Sequence, residues 1–165
     1  MNGSYRSIRI ADLFETPSHV ATVAKWIFDE FWADRNGHTI GQLIDLLKDA
    51  SRPDQMPLSL LAWVQHEPVG TVNLIENDDA ERRHLRPWVA ALFVRPDNRR
   101  RGVGSALVRS LLGRANRLSI PVVYLGTENP QFYERIGATV HERVTESFVV
   151  MELATQPLDQ SDIRC

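Results

Sequence analysis

The chain has 165 residues, 43% of them apolar, enough for a buried core in one domain and short for two. A formal net charge of −2 argues against a general polyanion binder, and the single cysteine, Cys165, excludes a disulfide framework and a cysteine-held zinc. The five histidines have no ligand spacing, no apolar run reaches membrane length and the start lacks a charged-then-apolar leader, so a metal-free cytoplasmic protein is expected.

Ser7 to Ile10 alternates and predicts a first strand. Thr16-Pro17-Ser18 predicts a helix start, with Pro in the first turn. Val20, Val23, Ala24, Ile27, Phe28 and Phe31 then recur at helical spacing, with Trp26 and Glu30 on one flank and Trp32 on the other. After the break Arg35 to His38, Thr39 can cap a second helix that buries Ile40, Leu43, Ile44, Leu46 and Leu47. Leu58 to Val64 and Val69 to Ile75 predict an antiparallel hairpin, followed by a polar, acid-bearing loop from Glu76 to Arg86.

Val89 to Val94 is continuously apolar, as a strand covered on both faces must be. It runs into Arg-Pro-Asp-Asn and then Arg99-x-x-Gly102-x-Gly104, and the next helix buries Val103, Leu107, Val108, Leu111, Leu112 and Ala115. Pro121 to Gly126 is another buried strand, so strand–helix–strand makes a parallel crossover. Asn129-Pro130 opens a short helix, Gln131 to Ile136, stopped by Gly137. Thr139 to Thr145 and Phe148 to Leu153 predict a last hairpin. The expected organisation is one domain over 1–153 and a loose tail over 154–165.

The stretch Leu92 to Ser105 carries the clearest chemistry. Glycines where a strand turns into a helix let backbone N–H groups converge on an anion, and the helix N-terminus adds partial positive charge. A Walker loop is excluded because the only lysines are Lys25 and Lys48. The dinucleotide fingerprint is excluded because Leu107 stands where its third glycine belongs. A surface turn with solvated arginines, or a nucleic-acid patch helped by Arg82, Arg83 and Arg86, are the other readings. The acids in that loop and the lack of interleaved aromatics argue against nucleic acid.

Arg99-x-x-Gly102-x-Gly104 resembles the pyrophosphate turn of the GNAT superfamily of acetyl-CoA-dependent N-acetyltransferases. Asn129-Pro-Gln-Phe132-Tyr133-Glu-Arg-Ile-Gly137 is similar to the same family's Asn-x-x-x-Phe-Tyr-x-x-x-Gly segment, with one residue fewer between Asn and Phe and with Ala138 in place of the usual aromatic. The resemblance covers about residues 7–153. It implies an α/β (α+β) fold with a single mixed, centrally splayed sheet of about seven strands flanked by about four helices. It also implies acetyl-CoA as co-substrate without a metal: amides of Arg99, Arg100, Arg101, Gly102, Val103, Gly104 and Ser105 on the pyrophosphate, and the backbone of Leu92, Phe93 and Val94 along the pantetheine, with Asn129 and Phe132 beside it.

Acyl transfer to an amine needs a proton donor for the departing thiolate, and a phenol is suited to that task. The family places this role on the tyrosine of Phe-Tyr-x-x-x-Gly, here Tyr133. No general base is legible: the family's acid on the fourth strand is absent, and Glu30, Asp78, Asp79, Glu128, His84 or a water chain are the options. The resemblance puts the acceptor by the first two helices and the loop before the fourth strand, where Trp26, Glu30 and Trp88, with Phe31 and Trp32 on the same wall, combine aromatic surface with an acid, suited to an organic cation. Without a plausible cysteine or elbow serine nucleophile, direct attack on the thioester in a ternary complex is expected. The acceptor is a small-molecule amine or a peptide or protein amine, with no nucleic-acid or membrane partner, and exposed strand edges allow a homodimer. A catalytically silent coenzyme-binding sensor or scaffold is the alternative.

Overall fold

A computed structural model describes residues 7–156. In chain order the elements are β1 (Ile8–Asp12), α1 (Val20–Ile27), α2 (Ile40–Asp49), β2 (Leu58–Val64), β3 (Glu67–Ile75), β4 (Trp88–Val94), α3 (Val103–Arg117), β5 (Val122–Thr127), α4 (Pro130–Glu134), β6 (Thr139–Arg143) and β7 (Val149–Ala154). The seven strands form one mixed sheet in the order β1-β2-β3-β4-β5-β7-β6. Only the β4–β5 pair is parallel, as the strand–helix–strand pattern requires.

Period-two alternation in β2 and β3 sends successive side chains to opposite faces. Leu60 and Val72, paired across the two strands, pack with Leu107, Val108 and Leu111 of α3. Leu61 and Trp63 face the other way, onto Val23, Ala24 and Ile27 of α1 and Leu43 and Leu47 of α2. The second helix begins where expected: Thr39 accepts from the Gln42 amide while the Gln42 side chain accepts from the Thr39 amide, a reciprocal cap.

Two irregularities in β4 shape the molecule. Ala90 pairs with Asn73 and Phe93 with Thr71, so Ala91 and Leu92 together oppose Val72 in a bulge, with Ala91 at φ 50. On its other side β4 meets β5 only at Trp88↔Tyr124, held by the Tyr124 amide on the Pro87 carbonyl at 2.9 Å. Beyond that contact the two strands diverge, and the sheet opens into a wedge between Val89–Val94 and β5.

Three local expectations are corrected. The first helix does not run unbroken to Phe31: α1 gives way after Ile27 to a π-helical turn, Phe28–Trp32, preceded by a 3-10 turn at Pro17–His19. The wider turn rotates Phe31 away from the core, leaving it 40% exposed. On α2, Leu46 is 54% and Ile40 37% exposed, because the face turned to the sheet is Leu43 and Leu47 with Ile44 beside them. The supposed tail starts late: Ala154 completes β7, and Thr155 is buried, donating to the Ile120 carbonyl at 2.6 Å. Residues 157–165, with Cys165, lie outside the described residues.

Gly70 shows how tightly β3 supports β4. A Cβ there would sit 2.8 Å from the Phe93 carbonyl oxygen and 3.1 Å from Leu107 Cδ1. Backbone cannot yield as a side chain would, so Gly70→Ala is expected to lower unfolding free energy by about 1–3 kcal/mol. Urea denaturation checks this, and an unchanged midpoint would contradict the tight contact.

Candidate active site

The wedge holds a cavity of about 740 Å³. One wall is Leu92, Phe93 and Val94; the other is the turn from Asn98 into α3, with Asn129, Phe132 and Tyr133 from the β5–α4 junction. The turn's geometry follows from its residues. Arg100 at φ 59 and Gly102 at φ 83 are both left-handed, and Gly102 caps α3 without a side-chain hydrogen bond. The first helical bond to that cap is Ala106 N–H to Gly102 O at 3.0 Å. The amides of Val103, Gly104 and Ser105 therefore have no partner within the helix, and no acid lies in its first turn. That is an anion-binding end.

Gly104 admits close approach from both sides. A Cβ would lie 3.2 Å from the Phe132 ring, so that ring packs directly on the turn and ties α4 to it. Gly104→Val would push on Phe132 and cover the helix end. Isothermal titration should show coenzyme A affinity falling at least about tenfold, with circular dichroism unchanged; retained affinity would remove the turn from coenzyme binding. Arg99 is a brace as well as a cation: its Nε donates to the Val94 carbonyl at 2.8 Å and its guanidinium lies 5.7 Å from the Phe93 ring centre.

A second cavity, of about 900 Å³, lies on the α1–α2 face of the sheet. The two cavities share only Leu92 and Tyr133. Tyr133 thus stands at the junction. Its ring is T-shaped against Phe132 at 4.9 Å, and burial pushes its phenol up to about 12. The hydroxyl stays protonated across the neutral range.

The second cavity combines an apolar collar with an acidic end. Phe31, Trp32, Leu46 and Met56 contribute the collar; Asp49, Glu76, Asp78, Asp79 and Glu128 are its carboxylates, and Arg35 is its one cation among the described residues. Asp78 opens to solvent within this concave wall, yet desolvation by surrounding protein raises its carboxyl above the usual range; Arg35 opposes the shift and Asp79 adds to it. Ser59 and Asn73, cross-strand partners on β2 and β3, form a polar floor.

The structure brings most of the expected coenzyme residues together. Arg101 is exposed and does not line the cavity. The three acceptor candidates separate. Trp88 is a buried wall of the second cavity, 2% exposed, with its indole N–H on the Leu85 carbonyl at 2.6 Å. Glu30 lines the coenzyme-side cavity instead. Trp26 lines neither and stacks on Phe93 at 5.4 Å. Of the base candidates, Asp78, Asp79 and Glu128 line the second cavity and His84 lines neither. Asn98, Arg135, Ser59, Asn73 and Arg35 are site residues that sequence reasoning missed. Only the Ser59–Asn73 pair left a signal, as two polar residues facing each other inside an apolar hairpin.

A family model described as the acetyltransferase (GNAT) family matches residues 21–138. The chain belongs to the GNAT acetyltransferase family. Solved structures agree in fold. An aminoglycoside 6'-acetyltransferase type Ii superposes with a TM-score of 0.68 at 17% identity, covering 92% of this chain and 99% of that one. An aminoglycoside 6'-N-acetyltransferase complexed with coenzyme A gives 0.69 at 14% identity, with the same coverage. The PaiA N-acetyltransferase from Thermoplasma acidophilum, also in complex with coenzyme A, gives 0.65 at 19% identity over 90% and 99%. No curated protein matches the chain significantly. Among the described residues, no helix of this GNAT chain is long and apolar enough to cross a membrane, and no three His, Cys, Asp or Glu side chains are grouped to hold a metal.

Proposed function

We propose that the protein transfers the acetyl group of acetyl-CoA to an amine by direct attack in a ternary complex. The observation that carries this reading is the meeting of two cavities at Leu92 and Tyr133, one ending in uncapped helix amides and the other rich in carboxylates. The first suits a pyrophosphate with a thioester arm; the second suits a cation. Acetyl-CoA supplies an activated acetyl group when bound.

Arg100, Gly102, Val103, Gly104 and Ser105 hold the pyrophosphate, with Asn98 and Arg135 at its edge. The outer edge of β4, which β5 does not cover past Trp88, offers main-chain groups to the pantetheine amides. The bulge at Ala91 and Leu92 turns that edge toward the junction, where a backbone N–H can support negative charge growing on the thioester oxygen. As the amine nitrogen bonds to the carbonyl carbon and the carbon–sulfur bond breaks, Tyr133 gives its phenolic proton to the sulfur. The excess proton on the new amide nitrogen leaves through water and returns the phenol to its neutral form. The carboxylates gather the acceptor as its ammonium form, and reaction proceeds from its free-base fraction.

Intrinsic-fluorescence titration with acetyl-CoA, followed by thiol release over a panel of amines, tests the proposal. Saturable coenzyme binding and amine-dependent thiol release are expected. Binding without release for every amine would instead favour a coenzyme-binding module without catalysis.

A further inference from the structure

Resting on the amine-transfer reading, we infer that the acceptor is of the diamine class: one nitrogen at the Leu92–Tyr133 junction, an apolar spacer, and a second cationic nitrogen at the acidic end of the cavity beside Asp78. Strand register sets the span. Asn73 pairs with Ala90 and Ile75 with Trp88, and the loop carrying Asp78 leaves the sheet just after Ile75. From Leu92 back to Trp88 is four residues, roughly 13 Å at full extension and about 10 Å once the bulge shortens it. A single small amine at the junction would leave that distance empty.

Apart from Ser59 and Asn73, the surface between the two ends is largely apolar. Ala90, Ala91 and Trp88 lie beneath it, with Phe31, Leu46 and Met56 on its flank. A sugar-like body would strand hydroxyl groups against these side chains, whereas methylenes would not.

The acidic end is available to a ligand. Glu76 is engaged by Arg86 at 3.1 Å and Asp79 by Arg82 at 2.8 Å. Asp78 makes no ion pair among the described residues, and Arg35 acts on it only from beyond ion-pair distance.

An independent observation points the same way. Ser59, 2% exposed, is a lining residue of the same cavity, and its Oγ, closed to solvent, has no hydrogen-bond partner among the described residues. Its neighbour Asn73 is 6% exposed and spends its amide on the Ala90 carbonyl at a long 3.4 Å. A buried hydroxyl oxygen without a donor is costly. An N–H along a polyamine-like acceptor can supply that donor, and the methylenes of an alkyl monoamine cannot.

The test compares diaminooctane and spermidine with octylamine as acceptors for the intact protein at fixed acetyl-CoA. The expected result is a kcat/KM at least about tenfold higher for the diamines, equivalent to about 1.4 kcal/mol, with Asp78→Asn shrinking that ratio toward one. Octylamine used as well as the diamines, or a ratio unaffected by Asp78→Asn, would overturn the inference while leaving amine transfer intact. Quenching of tryptophan emission in the coenzyme-bound protein reads binding without turnover. Diamine binding at least about tenfold tighter than octylamine supports the inference, and equal or absent diamine binding overturns it. Selective diamine binding without thiol release would contradict the transfer reading and keep the diamine site.

Discussion

Tyr133→Phe is expected to lower kcat for thiol release by about 100- to 10,000-fold while coenzyme A still binds. The substitution removes one oxygen from a ring that packs on Phe132 at the junction of the two cavities and leaves the packing in place. Loss of the phenol removes the proton donor, and the thiolate must then leave as an anion in a desolvated site. The pH dependence follows from the direction of the Tyr133 shift. Burial raises the phenol to about 12, so the donor form is complete throughout pH 7–10 and Tyr133 contributes no falling limb there. The rising limb belongs to the acceptor: an alkyl amine with a pKa of about 10.4 gains free base about tenfold per pH unit below that value. kcat/KM should therefore climb from pH 7 to pH 9 in both the parent and the variant. A decline centred near pH 9 in the parent, absent in Tyr133→Phe, would show a phenol that ionises too early for this role. An unchanged kcat in the variant, with chemistry limiting, would remove Tyr133 from it altogether.

Arg114→Ala is expected to produce the largest loss of stability, about 3 kcal/mol, or roughly 6–12 °C in Tm. Asp12 closes β1 with its side chain 5% exposed, and Arg114, near the end of α3, donates to it at 2.6 Å. Deleting the arginine leaves a buried carboxylate without its partner, which is the expensive way to break such a pair. The reverse change, Asp12→Ala, should cost less because the Arg114 side chain is 22% exposed and can turn to water. The pair ties the first strand to the opposite end of α3 from the Gly102 cap, so coenzyme affinity in Arg114→Ala should be unchanged at temperatures where the variant is folded. Thermal unfolding of both variants checks the ordering. Equal small losses would mean that the pair holds nothing together.

Burial patterns explain why the fold was legible and the acceptor cavity less so. The apolar run Leu58–Val64 reports a strand buried throughout, whereas Ala91–Val94, expected to be covered on both faces, are only half-buried because Leu92, Phe93 and Val94 wall the cavity; the reciprocal Thr39–Gln42 cap is written in local spacing. The glycine turn was equally readable, because a left-handed Gly102 and an uncrowded helix end depend on residues adjacent in sequence. The π-helical turn after Ile27 was not. It is a change of winding rather than of composition, and it takes Phe31 out of the buried helical stripe and into the cavity wall. The resemblance puts Glu30 and Trp26 with the acceptor, yet Glu30 lines the first cavity and Trp26 packs on Phe93. The second cavity is assembled from α1, α2, β2, β3, β4 and the loop after β3, whose proximity is set by the sheet and not by any local motif. Arg35 and Asp78 meet only through that long-range packing.

Acetyl-CoA bearing a deuterated acetyl group, incubated with the protein and a diamine acceptor, tests the central claim of direct transfer most directly when products and protein are followed together by mass spectrometry. The prediction is label on the amine nitrogen, formed only when both substrates are present, and no labelled protein at any time during turnover. Label accumulating on a protein side chain, or released as acetate without an acetylated amine, would contradict it.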